Sequence, residues 1–191
     1  MIKKILAAGV MLAAMQGCGS DSDSSSDTPE TAALGPGAAL KCTSSGMNAW
    51  DTYGVDGFVA VNKAIVANVV SELTANGSDN LGDSFSKIGS GMPASTSDDM
   101  ATFEGKLAAF LVYAYGGPTS IKYTDGKMYS GLQDMGTAHI GLAITSDQYD
   151  YFVSNQIVPA LTSSGVTGDD VSKCFAPIVT DKAFKASIVG H

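Results

Sequence analysis

From Met47 onward the apolar residues recur at spacings of three and four, and no stretch alternates with the period of two that a half-buried strand requires. This constrains the chain most, because side chains three and four apart share one face of a helix and must be buried together. In "GVDGFVAVNKAIVANVVSEL" the residues Phe58, Val61, Ile65, Val66 and Val69 form one such stripe. Gly77 to Ser97 reads as loop. Asp98 and Asp99 then open a second helix with the stripe Met100, Phe103, Leu107, Phe110, Leu111, Ala114, which Gly116-Gly117-Pro118 stops. A glycine-bearing segment, Ile121 to Gln133, leads to a short helix around Met135 to Leu142. Thr145-x-x-Gln148 has the form of a capping box for a helix from Ser146 to Thr162, carrying Tyr149, Phe152, Val153, Ile157 and Leu161. Thr167-x-x-Asp170 starts the last helix, which runs through Val189 with Pro177 bending or interrupting it. The expected fold is all-α, and 191 residues at 45% hydrophobic suffice for one core.

The N-terminus, "MIKKILAAGVMLAAMQGC", places two lysines before an apolar run that is too short to span a membrane, the pattern of an export signal. Small residues before Cys18 resemble the processing site of bacterial lipoproteins, where the cysteine is acylated and becomes the first mature residue; an ordinary secretory signal is the alternative. Residues 1–17 are thus read as signal, and 18–38, rich in Ser and Asp, as acylated cysteine and flexible tether. The domain is read as 39–191, held at the bacterial cell envelope by lipid. Cys42 and Cys174 remain as an even pair that an oxidising compartment favours as a disulfide, with two separate buried thiols as the alternative. A formal charge of −8 excludes a nucleic-acid surface, which draws on clustered Lys and Arg. Neither a zinc spacing nor Cys-x-x-Cys-His is present.

Of two histidines, His191 is the last residue and His139 sits within "DMGTAHIGLAIT". The segments "DMATFEGKLAAFLVYAYGGP" and "DMGTAHIGLAITSDQYDYFVSNQIVPALTSSGV" resemble the distal and proximal halves of a group I truncated haemoglobin. In that family a helix ends at an aromatic-Gly-Gly break, here Tyr115-Gly116-Gly117. A Tyr-containing turn follows, here at Tyr123, and a Met-x-x-Ala-His run, here Met135 to His139, carries the histidine that binds haem iron. The resemblance covers about Trp50 to the end and implies a 2-over-2 truncated-globin sandwich holding non-covalent haem b. By that resemblance His139 is the proximal ligand; the alternative is a histidine satisfied by hydrogen bonds in an ordinary core. Met135 and Leu142 flank it at helical spacing.

The resemblance also implies that Phe85, Phe103, Leu107, Leu111, Tyr149 and Phe152 pack against the porphyrin, although each suits plain core equally. Lys106 falls where some members place a sixth iron ligand. Its alternatives are a stem lying on apolar surface with the ammonium in water, or a pairing with a haem propionate. Lys122 and Lys127 are candidates for propionate contacts, or solvated surface. The distal wall departs from the family: Ala67 and Phe103 stand where a hydrogen-bond donor to bound ligand is common, and neither can donate. That weakens oxygen storage and catalysis, both of which draw on distal donors. Three functions stay open: a haem protein that binds or senses a diatomic gas (O2, NO or CO), an electron-transfer protein whose iron has two protein ligands and which serves a redox partner, and a globin-shaped binding module without haem.

Overall fold

The computed structural model describes residues 35–85 and 100–191. Cys18, the export signal, most of the tether and the Asp98-Asp99 helix start lie outside them. Helix α1 (Ala49–Asn76) begins at Asn48, whose Oδ1 accepts the Asp51 N–H at 2.7 Å. Its stripe buries Phe58, Val61, Ile65 and Val69 against α2 (Met100–Ala114), which contributes Ala108, Ala109, Leu111, Val112 and Ala114. The alanines let the two backbones approach closely.

The end of α2 is where the sequence places it. Gly116 takes φ 96°, a left-handed conformation open to glycine, and the Gly117 N–H returns to the Val112 carbonyl at 2.9 Å. The aromatic of the same motif is structural as well: buried Tyr115 donates its hydroxyl to the Phe175 carbonyl at 3.1 Å.

The described residues are mostly helical, compatible with the all-α expectation, with one local addition. Within the segment read as glycine-bearing coil, β1 (Ser120–Lys122) pairs antiparallel with β2 (Met128–Ser130) in the register Ile121↔Tyr129. Ile121 and Tyr129 are buried between exposed neighbours, so the period of two is present. It lasts three residues per strand, too few to stand out from the surrounding Gly, Asp and Lys. The protein is mostly helical with this one hairpin among its described residues.

The C-terminal third is more broken than the pattern of stripes suggests. The short α3 (Met135–His139) stops three residues earlier than expected, because Ile140 turns extended at ψ 127°; Leu142 therefore lies beyond the helix. The Thr145–Gln148 capping box forms, and α4 (Ser146–Phe152) follows it. A π turn, Val153–Ile157, closed by the Val158 N–H on the Val153 carbonyl, then leads into α5 (Val158–Ser163). After the Thr167-capped α6 (Gly168–Asp170), a second π turn, Val171–Phe175, precedes α7 (Ala176–Val179). Each π turn ends two residues before a proline, Pro159 or Pro177. The proline ring lacks an N–H and crowds the carbonyl four residues back, and the wider turn relieves both problems without breaking the rod. The helix expected to reach Val189 ends at Val179, and Asp181 caps a separate α8 (Lys182–Ala186) by accepting the Phe184 N–H at 2.9 Å.

The main core joins α1, α2, the hairpin and the helices around Phe175. At one end Phe58, Tyr115 and Phe175 meet with ring centroids 4.9 to 6.0 Å apart. The Cys42–Cys174 disulfide closes that end. Residues 35–38, read as tether, belong to the domain: a Cβ on Gly35 would stand 1.7 Å from the Tyr113 carbonyl oxygen, so only glycine lets the chain pass there.

Candidate functional site

The site builds from α3. Asp134 accepts the Thr137 N–H at 2.6 Å and gives a five-residue helix, too short to persist alone, its N-terminal cap. At its other end His139 is half-buried, and its Nδ1 lies 2.7 Å from the Met135 carbonyl oxygen. A carbonyl can only accept, so Nδ1 carries the proton. In the neutral ring Nε2 then keeps its lone pair. Nε2 has no hydrogen-bond partner among the described residues. This is the arrangement in which a backbone carbonyl fixes the tautomer and the orientation of a metal-ligating imidazole.

The apolar residues proposed from sequence fall into three groups. Phe85, Phe103 and Phe152 gather around Val69 and Leu81, with Phe85 stacked on Phe152 at 5.3 Å. Met135, Leu142 and Tyr149 gather around Ile144 and Ile188. Tyr149 is buried and donates its hydroxyl to the Val179 carbonyl at 2.7 Å; burial, with Asp150 and Asp181 nearby, pushes its ionisation up to about 12, so it is a neutral wall. Leu107 and Leu111 are held by the main core. Phe152 thus joins the first group although it lies one turn beyond Tyr149.

Lys106 is exposed, and its carbonyl oxygen accepts a long hydrogen bond from Gln133 Nε2 at 3.5 Å, tying the approach to α3 onto α2. Ala67 is exposed on α1. Lys127 is paired with Asp125 across the hairpin turn at 3.8 Å, and Lys122 is an exposed strand residue.

Two features were missed by sequence reasoning. Asn62 is fully buried, donates to the Glu104 carbonyl at 3.1 Å and to the Tyr123 hydroxyl at 3.4 Å, and leaves its Oδ1 without a partner. Tyr123 in turn donates to Glu104 Oε2 at 3.1 Å, so the turn tyrosine locks the hairpin to α1 and α2. The second feature is Phe184 of α8, whose ring stacks on Phe110 of α2 at 6.0 Å and 9°. Its signal in the sequence was the Asp181 cap, which the expectation of one long helix hid.

Two other places are structural. The sulfurs of Cys42 and Cys174 and a carboxylate oxygen of Asp170 lie within 4.8 Å, but the sulfurs are consumed by their bond and the carboxylate by Ser44 and Tyr53. The cavity bounded by Tyr53, Phe58, Val61 and Phe175 has about 10 Å³ of free space, room for a water and nothing larger. Comparison with protein-family models, curated proteins and solved structures finds no match to this chain.

Proposed function

We propose that this domain binds haem b in a truncated-globin manner through His139 and takes up a diatomic gas at the iron. The observation that carries this reading is the His139 side chain, with Nδ1–H fixed on the Met135 carbonyl at 2.7 Å and a basic Nε2 left over. Nε2 is not buried, so in the haem-free chain it meets solvent and stays open to a ligand. The donor set also fits: a neutral imidazole is a standard proximal ligand of haem, and apolar side chains flank it on both sides of the sequence. When bound, the haem supplies an iron centre with an open position for the gas.

The chain's own residues have three tasks. His139 offers Nε2 to the iron and is held in one tautomer by Met135. Met135, Leu142 and Tyr149 near His139, with Phe85, Phe103, Phe152, Leu107 and Leu111 by the resemblance, would supply the apolar surface that excludes water. Phe103 provides no donor to a bound ligand, which favours carbon monoxide and nitric oxide over dioxygen, because dioxygen depends most on a distal hydrogen bond; Ala67, exposed on α1, supplies none either. Lys106 is the residue we assign as sixth ligand if the ferric spectrum is six-coordinate. That state would turn the domain toward electron transfer. The disulfide and the lipoprotein-like N-terminus support a place at the cell envelope, anchored through Cys18.

The test is the absorption spectrum of the full chain supplied with ferric haem. A Soret band at equimolar haem, lost in His139→Ala, is expected. A normal band in that variant would overturn the assignment. Lys106→Ala is expected to convert any six-coordinate spectrum to five-coordinate.

A further inference from the structure

We propose that the C-terminal segment, Lys182–His191, occupies the haem slot when the cofactor is absent and is displaced when it enters, so that the segment gates the His139 site. This rests on the haem reading above and concerns how the site is regulated.

Phe184 joins the Met135, Leu142 and Tyr149 cluster to the main core at α2. On one side its ring lies parallel to Phe110, on the same α2 stripe as Phe103 and Leu107. On the other it packs, with Ile188 and Val189, among Met135, Leu142, Tyr149 and Val153. The proximal apolar surface assigned to porphyrin is therefore already covered, and by one short piece of this chain. Cofactor and segment compete for the same area.

The segment is also built to come away. Helix α8 has five residues and buries none of them fully, so it forms through docking and not by itself. Its side-chain latch is Lys185 Nζ on Asp150 at 2.6 Å, an exposed pair of the kind that adds little. Its main-chain latch is a pair of hydrogen bonds to the loop after α3: Ala143 N–H to the His191 carbonyl at 2.7 Å and Gly190 N–H to the Ile144 carbonyl at 3.0 Å. Ala143, which donates to His191, holds the left-handed conformation, φ 51°, that a side chain disfavours, four residues after His139. Short elements with few buried contacts and strained neighbours are the first to open. A closed segment lowers apparent haem affinity by the fraction of time the slot is open.

Amide hydrogen exchange of the full chain, with and without ferric haem, tests the displacement. The Ser187, Ile188 and Gly190 amides, which donate to Ala183, Lys185 and Ile144, are expected to exchange at least tenfold faster once haem is bound. Unchanged or slower exchange in a chain that displays a Soret band would overturn the proposal. A haem-free readout separates it from the cofactor reading. In Phe184→Ala with helicity retained by circular dichroism, the slot is open, and fluorescence of the apolar dye anilinonaphthalene sulfonate is expected to rise about tenfold over the parent chain. If neither protein takes haem but the dye response appears, the slot and its occupant stand and the haem reading falls. If the dye response is absent in a folded variant, the occupancy proposal falls. Should Phe184→Ala unfold, Lys185→Ala removes the latch and leaves the core; several-fold faster exchange at those amides supports the proposal, and no change refutes it.

Discussion

The two ends of this domain are built by opposite rules. At the Cys42–Cys174 end, every strong polar group is answered: buried Asp170 accepts from the Ser44 N–H at 3.0 Å and from the Ser44 and Tyr53 hydroxyls at 2.5 Å, beside a packed cluster of Phe58, Tyr115 and Phe175. At the His139 end α3 and α8 are five residues long, nothing in either is fully buried, and one imidazole nitrogen is left to solvent. The difference separates what the sequence spends on stability from what it keeps available for a ligand. Sites that bind and move are drawn from the weaker regions of a fold.

If this contrast is right, damage at the first end should lower stability and damage at the second should leave it nearly intact. The largest effect is expected from removing the disulfide. It spans a sequence separation of 132 residues, and the chain-entropy model gives about 4–5 kcal/mol for such a loop. A Cys42→Ser, Cys174→Ser double variant should show that loss in urea unfolding. Retention of the parental midpoint would place the burden on packing alone.

Next comes Asp170. Burial by itself would raise its carboxyl, but the hydrogen bonds from the Ser44 and Tyr53 side chains and from the Ser44 and Thr43 backbone outweigh that and hold it at about 2, below the ordinary 3.8. A folded value below the unfolded one means the stabilisation is full above about pH 4 and disappears as pH falls toward 2. The expected change is roughly 2 kcal/mol. Asp170→Asn should flatten that part of the acid denaturation curve, and an unchanged curve would remove Asp170 from the account.

A smaller loss, about 1 kcal/mol, is expected for Thr145→Ala. This breaks the capping box in which the Thr145 side chain accepts from Gln148 and Gln148 accepts from the Thr145 N–H. Smallest of all on stability is His139→Ala, within about 0.5 kcal/mol by thermal unfolding of the haem-free chain, because the ring is half-buried and contributes one hydrogen bond. A loss of 2 kcal/mol or more would make His139 a core residue and erase the contrast.

Much of the fold could be read from the chain, and the reasons are particular. The α1 stripe and the α2 stop were legible because long amphipathic runs and a Gly-Gly-Pro break are strong local signals. The Thr145 and Thr167 caps were legible because a side-chain oxygen three residues ahead of its partner is a local motif. The hairpin was hidden because three residues per strand do not establish a period. The breaks at Val153–Ile157 and Val171–Phe175 were hidden because proline announces trouble without saying how a helix accommodates it. At the site, His139 stood out by its isolation in an apolar stretch. Phe184 did not, since its importance comes from Phe110, seventy-four positions away in sequence, and only the tertiary fold brings the two together. Asn62 was invisible for the same reason.

The π turn at Val153–Ile157 has a consequence for how this chain tolerates change in length. One rod serves two masters: Tyr149 and Phe152 upstream face the small clusters near the site, and Ala160 and Leu161 downstream face the main core. The wider turn takes up one residue more than an α turn holds, which keeps both halves on their own faces. Loss of one residue between Val153 and Ile157 would let the turn close as ordinary α-helix with both faces kept, whereas a further inserted residue would turn the downstream half by about 100° and send the wrong faces inward. This rod therefore tolerates shortening by one residue better than lengthening by one.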